Sequence, residues 1–235
     1  MSQEFKEELK VFSKVLDNLT IKALVELRNR EVIFGLVGIL KEGKESVIFL
    51  GKDFKGNKLA IKIYRIYHLD FKSLRNLLAA DSRYQRIRRD IRNVVFAWCN
   101  REYRNLKIAY EKAKVSCPKP IASYQNILVM EFLGKDDVPF PQLADLKLDH
   151  ETAKLLYQKV IDNLKKLREK KLVHGDLSEY NILVDLEKLN IYFIDFSHSV
   201  REDSPIYEEL WKRDIENINR FFSKYLSEEE LIYFI

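Results

Sequence analysis

The sequence predicts a mixed α/β (α+β) fold in two lobes, a strand-rich first lobe followed by a mainly helical second. Three observations predict it. Residues 32–66 alternate apolar runs with short polar turns, which reads as strand, turn, strand, turn, strand. Residues 151–171 set Ala153, Leu156, Val160, Leu164 and Leu167 at helical spacing. At 235 residues, 46% hydrophobic and 33% charged, the chain can bury a core in one domain or two lobes.

Composition narrows the class further. Only 7 Gly and 5 Pro argue against long disordered linkers. No apolar run approaches the roughly 20 residues that span a bilayer. The longest, 32–40, contains Gly35 and Gly38 and reads as a buried strand. The N-terminus, Met1-Ser2-Gln3-Glu4-Phe5-Lys6, lacks the apolar core of a signal peptide. Cys99 and Cys117 match no metal or disulfide spacing, so a reducing cytoplasm with no membrane contact is the simplest location. A net charge of +5 is modest, and its distribution matters more than its sum.

In chain order, residues 1–31 carry Phe5, Leu9, Phe12, Val15, Leu16 and Leu19, then Ile21, Leu24 and Leu27, at helical spacing. Asp17-Asn18 and Thr20 divide them between two helices expected to pack on the core. The first lobe is expected over 32–130. Strands at 32–40, 46–50 and 58–66 are joined by the polar turn Lys41-Glu42-Gly43-Lys44-Glu45 and a hairpin loop at 53–57. Backbone N–H groups of a glycine-containing turn can approach phosphate oxygens, which makes Gly43, Lys44 and Glu45 candidates for an anion cradle. Most hairpins carry such a glycine for turn geometry alone. In the third strand, Lys62 offers a mobile point charge, and the small Ala60 two residues earlier leaves room for a flat ring.

Residues 67–100 are read as an insertion rich in arginine. Arg83, Arg86, Arg88, Arg89, Arg92, Arg101 and Arg104 cluster with few acids, and Tyr84, Phe96, Trp98 and Tyr103 are interleaved. A charge run is usually a solvated helix face. The other open reading is a site for an anionic partner, RNA phosphates or an acidic protein surface. Residues 101–113 read as a helix with Leu106 and Ala109 inward and Glu102 in its first turns. A strand over 127–131 leads into 131–134, Glu131-Phe132-Leu133-Gly134, which suits a hinge between lobes. Met130 would wall a pocket or serve as a plain core residue. The second lobe is expected over 135–235, with helices at 151–171 and 207–225 and a short tail.

The chemistry sits at 172–183, Leu172-Val173-His174-Gly175-Asp176-Leu177-Ser178-Glu179-Tyr180-Asn181-Ile182-Leu183. A second apolar run, Ile191-Tyr192-Phe193-Ile194, ends on Asp195-Phe196. Taken singly, Asp195 can merely end a strand and His174 can be a core histidine. Together these pieces resemble the kinase pattern H-x-D-x-x-x-x-N followed by D-F-G. Phosphoryl transfer needs a carboxylate near the attacking hydroxyl, here Asp176. It also needs oxygen ligands for Mg²⁺, here Asn181 and Asp195. The two apolar runs are expected to pair as short strands across a hairpin-length gap at 184–190. Leu59-Ala60-Ile61-Lys62 matches the V-A-I-K of the third kinase strand, with Lys62 on the phosphates of ATP. Glu102 is the expected partner of Lys62, with Glu111 as runner-up. Backbone groups of Glu131 and Leu133 would meet the adenine edge, with Met130 behind it and Leu183 beneath.

More specifically, the chain resembles the RIO family of atypical serine protein kinases, in its type-one branch. The stretches that carry this are 172–183, 194–200, Arg101-Glu102-Tyr103-Arg104-Asn105-Leu106-Lys107, the Gly43-Lys44-Glu45 turn and the final helix from Lys212 to Phe222. The family's phosphate loop usually opens with Ser-Thr and continues Ala-Asn-Val; here Lys41-Glu42 precede and Ser46-Val47-Ile48 follow. The resemblance implies a reduced protein-kinase-like fold without activation segment or peptide-docking helices. It implies ATP with Mg²⁺, or Mn²⁺ as the other candidate cation, and Asp176 as base. It also implies Ser autophosphorylation or an ATPase cycle through a phosphorylated Asp195. It further implies a partner in the maturing small ribosomal subunit, or its rRNA, met through the Arg-rich insertion. Two other readings stay open: a small-molecule or tRNA-modification-linked kinase, and a binding factor that uses nucleotide only as a switch.

Overall fold

The structure, a computed structural model, describes residues 5, 7, 10–12, 16–66, 71–79, 81–84 and 90–232. It divides into two units, Met1–Tyr103 with Pro120–Phe132, and Arg104–Lys119 with Leu133–Ile235. The chain passes between them inside one helix, again at Lys119–Pro120, and again at Phe132–Leu133.

Strand alternation builds the first unit. β1 (Gly35–Glu42), β2 (Ser46–Lys52), β3 (Lys58–Tyr64), β4 (Pro120–Tyr124) and β5 (Ile127–Glu131) form one antiparallel sheet in the order β1-β2-β3-β5-β4. Val47 and Phe49 of β2, Leu59, Ile61 and Ile63 of β3, and Ile127 and Val129 of β5 share a face, because every second side chain points the same way. Against that face lies α1 (Asn18–Asn29) through Ala23, Leu24 and Leu27. Asp17 is more than a break between helices: its carboxylate caps α1 by accepting the Thr20 N–H at 2.7 Å. The first of the two expected N-terminal helices falls largely outside the described residues.

The Arg-rich stretch departs from an insertion ahead of the helix. α2 (Phe71–Ala79) is followed by α3 (Ile91–Lys107), so the helix expected from Arg101 begins ten residues earlier, inside that stretch. α3 ends in a π-helical turn, Ile108–Ala113, closed by Lys114 at φ 56°.

In the second unit, α4 (His150–Glu169) is capped by Asp149, which accepts the Thr152 N–H at 2.8 Å, and buries Ala153, Leu156, Val160, Leu164 and Leu167. The remaining strands are short: β6 (Gly134–Lys135) with β7 (Val138–Pro139), β8 (Leu172–Val173), β9 (Ile182–Asp185), β10 (Asn190–Phe193) and β11 (Val200–Arg201). The hairpin across 184–190 forms between β9 and β10, with Ile182 opposite Phe193. β8 does not join it; Leu172-Val173 pairs with Val200-Arg201 instead. α5 (Tyr207–Phe222) is the one α-helix described after Asp195, and it buries Leu210, Trp211, Asp214, Ile215 and Ile218. No helix among the described residues is long and apolar enough to cross a membrane.

Candidate active site

The first constellation lies on the sheet face away from α1. Alternation along β3 puts Ala60, Lys62 and Tyr64 together there, all buried. Lys62 Nζ donates to Glu102 Oε1 of α3 at 2.9 Å, and Tyr64 donates its hydroxyl to Glu102 Oε2. Glu102 is therefore the partner of Lys62. The runner-up, Glu111, instead lies 3.8 Å from Lys107 on an exposed helix face of the second unit. Met130 stands opposite Ala60 in the β3–β5 register, and Glu131, opposite Leu59, is exposed. One turn before Glu102, the Cys99 thiol is 3.6 Å from the Ser123 hydroxyl, and burial pushes it up to about 12, so it is inert.

The Gly43–Glu45 turn differs from the expected cradle. The Gly43 N–H already donates to Ser46 O at 2.9 Å, and Glu45 O accepts the Arg65 N–H at 2.8 Å. A side chain on residue 43 would stand 3.3 Å from Ser46 O. Closure of the β1–β2 hairpin thus accounts for this glycine. Lys44 and Glu45 are exposed.

The second constellation is the loop after β8. Asp176 is exposed, while its neighbours are held from below: Asp214 of α5 accepts the Gly175 N–H at 2.7 Å and the Leu177 N–H at 2.9 Å. Gly175 has φ 81°, and a Cβ there would lie 2.5 Å from His198 O, so only glycine fits. Arg213 reaches the Gly175 carbonyl, and Asn217 donates to Leu177 O at 3.1 Å. Asn181 turns the donor end of its amide to Asp176, 2.8 Å to the main-chain oxygen and 3.3 Å to Oδ2. The acceptor end of that amide, Oδ1, is the end suited to a cation.

Asp195 is tied to the same place. The Ile194 N–H donates to Asn181 O at 3.0 Å, and His174 Nε2, which bears the proton, donates to Ile194 O at 3.0 Å. Burial drops His174 to about 4, so the ring is neutral and serves as a strut, tilted against Phe196 with ring centres 4.8 Å apart. Asp195 itself sits at φ 65°, ψ 73°, and its Oδ1 accepts from the Ser197 hydroxyl at 2.6 Å. A non-glycine residue in this region needs surrounding support. Some of it comes from Asn105, whose Nδ2 donates to Ser199 O at 2.9 Å and Phe196 O at 3.3 Å.

The other sequence candidates fall nearby with less chemistry. Leu183 is half-buried in β9, opposite Tyr192 and bridged to Gln142. Leu133 is buried, and its carbonyl accepts the Phe140 N–H at 3.0 Å, so that oxygen is already engaged. Tyr64, Asn105 and Asp214 were not read as site residues from sequence. Tyr64 was findable, since period 2 from Lys62 puts it on the same face.

The donor set fits a hard cation. Asn181 and Asp195 offer an amide oxygen and a carboxylate, and the described residues contain no group of three or more His, Cys, Asp or Glu suited to a metal. Such a site completes its ligand shell with phosphate oxygens and water, as Mg²⁺ does.

The Arg-rich stretch divides. Arg101 is fully buried, its Nε 3.2 Å from Asp81 Oδ2, and Arg83 binds the same carboxylate at 2.6 Å. Tyr84 and Trp98 are buried as well. Arg101, Tyr84 and Trp98 thus belong to the interior of the first unit rather than to a surface for an anionic partner, and Arg83 is half-buried beside them. Arg92 and Arg104 are exposed; Arg86, Arg88 and Arg89 lie outside the described residues.

Comparison with known proteins decides the family. A model of the RIO domain matches residues 47–232. The RIO-type serine/threonine-protein kinase Rio1 of Methanocaldococcus jannaschii is 38% identical over 226 residues, covering 94% of this chain and 74% of the relative. The chain belongs to the RIO family. Within that family it falls on the Rio1 branch and is a phosphotransferase. The human serine/threonine-protein kinase RIO1 is 34% identical over 215 residues, 90% of this chain and 37% of the human protein. Among solved structures, the Rio2 kinase-ADP/Mg²⁺-phosphoaspartate complex from Chaetomium thermophilum is similar at TM-score 0.68. Its identity is 26%, over 88% of this chain and 62% of that one. The RIO fold is thus the reduced kinase-like α+β fold seen here.

Proposed function

We propose that this RIO-family chain is an ATP-dependent serine/threonine-protein kinase that uses Mg-ATP. The observation that supports the reading is the hydrogen-bonded set Asp176–Asn181–Ile194, which holds the segments of Asp176, Asn181 and Asp195 side by side. Lys62, held by Glu102, binds the α- and β-phosphates. Asn181 Oδ1 and the Asp195 carboxylate hold Mg²⁺, which when bound neutralises charge on the phosphates. Asp176 accepts the proton of the attacking hydroxyl as its oxygen bonds to the γ-phosphorus and ADP leaves. Ala60, Met130, Glu131, Leu133 and Leu183 are proposed to surround the base of the nucleotide. Mn²⁺ would fit the same oxygen ligands.

A second reading, ATP hydrolysis through an aspartyl phosphate at Asp195, is favoured by one observation. The similar Rio2 structure is a phosphoaspartate complex with ADP and Mg²⁺. We also propose a place in small-ribosomal-subunit maturation, with the pre-ribosomal particle or rRNA docking through the Arg-rich stretch 67–100. We propose a cytoplasmic location as well, on the ground that Cys99 and Cys117 match no disulfide spacing.

The test follows Mg²⁺-dependent turnover of γ-labelled ATP by the wild type, Asp176→Ala and Asp195→Ala, reading free phosphate and label on protein. An acid-stable label lost in Asp176→Ala supports the serine kinase. An alkali-labile label that needs Asp195, with phosphate release, supports the hydrolytic cycle. Tight ATP binding with neither product rejects both.

A further inference from the structure

We infer that Tyr64 is a positioning residue for the Lys62–Glu102 pair, fixing the carboxylate through its phenol. The inference rests on the reading of Lys62 as a phosphate ligand and deepens it. The Tyr64 hydroxyl donates to Glu102 Oε2 while Lys62 Nζ holds Oε1 at 2.9 Å. The Lys62 ammonium also lies 4.9 Å from the centre of the Tyr64 ring. All three residues are buried, with exposures of 5%, 1% and 2% for Lys62, Glu102 and Tyr64.

A buried carboxylate is costly unless donors meet its oxygens. Lys62 is an unreliable donor for this purpose, because an ammonium that binds phosphate shares its three hydrogens with the ligand. Tyr64 matches the other oxygen whatever Lys62 does. Glu102 therefore stays in place when Lys62 turns to a nucleotide, and the pair does not have to be rebuilt in each cycle. The ring beside the ammonium narrows the space that the flexible lysine can sample. Both contacts come from the same strand face, two residues apart, so the geometry is set by β3 itself.

Tyr64→Phe keeps the ring and removes only the hydroxyl. The experiment measures KM and kcat for ATP turnover, with thermal midpoints, in the wild type, Tyr64→Phe, Glu102→Gln, the double variant and Lys62→Ala. Tyr64→Phe is expected to raise KM on the order of tenfold, with kcat changed less than about twofold. In the Glu102→Gln background the same substitution should change KM by less than about twofold, because the group it acts through is already altered. A lowered thermal midpoint with unchanged KM overturns the inference, as does a full additional effect in the Glu102→Gln background. If Lys62→Ala raises KM and Tyr64→Phe does not, Tyr64 alone is rejected. If Lys62→Ala leaves KM unchanged, the phosphate-site reading falls and this inference with it.

Discussion

A carboxylate placed under a loop holds it by meeting its backbone donors, and Asp214 meets two, on either side of Asp176. Burial pushes Asp214 up to about 7 from its ordinary 3.8, against the lowering effect of those N–H groups and of Arg213. Between these values the folded chain keeps a proton that the unfolded chain has released. This group therefore adds stability below about pH 4 and loses it as pH rises through about 7. Asp214→Asn offers one acceptor oxygen in place of two, which leaves one buried N–H unmatched and should cost about 1–3 kcal/mol. The stability gap between wild type and variant, measured by urea unfolding at pH 5 and pH 7.5, is expected to narrow at the higher pH. A gap that is constant or wider there would refute the assignment. Sequence alone does not mark Asp214, one charge among several in Lys212-Arg213-Asp214-Ile215-Glu216. Its burial is decided by a loop 39 positions away.

At the scale of elements, periodicity made most of the fold legible. The apolar stripes of α1 and α4 and the alternation in β2, β3 and β5 are local signals, and the hairpin at 184–190 follows from its length. The start of α3 was not legible, because Arg92, Arg101 and Arg104 read as a charge run. The buried Arg101 pairs with Asp81, 20 residues earlier, a partner no local pattern announces. The same helix carries Asn105, whose amide holds both carbonyls of the turn after Asp195. Removing that donor leaves two main-chain oxygens without it, so Asn105→Ala should lose about 1–3 kcal/mol. For a chain of this size that is a fall of about 2–4 °C in Tm per kcal/mol. Because the turn supports Asp195, the rise in Tm on adding Mg-ADP should also shrink. A scan in which Asn105→Ala melts with the wild type would remove this clamp from the account.

Over the whole molecule, 41 basic and 36 acidic residues nearly balance, so a partner is drawn by where charge remains unmatched rather than by the total. Several cations are matched internally, as Arg83 and Arg101 are on Asp81, Lys135 on Glu187, and Arg168 on Glu208. Within the Arg-rich stretch the docking proposal is put to the test at Arg86, Arg88 and Arg89. RNA contacts release counterions, so the logarithm of affinity falls with the logarithm of salt by about 0.7 for each phosphate neutralised on a single strand. Replacing Arg86, Arg88 and Arg89 together by Gln should lower that slope by roughly 2, measured with a single-stranded RNA oligonucleotide across a salt series. Basal ATP turnover should stay at the wild-type level, since none of the three is placed in the phosphoryl-transfer machinery. An unchanged slope would exclude these arginines from phosphate contact. A parallel loss of turnover would mean that the stretch supports the nucleotide site and is not a separate docking surface.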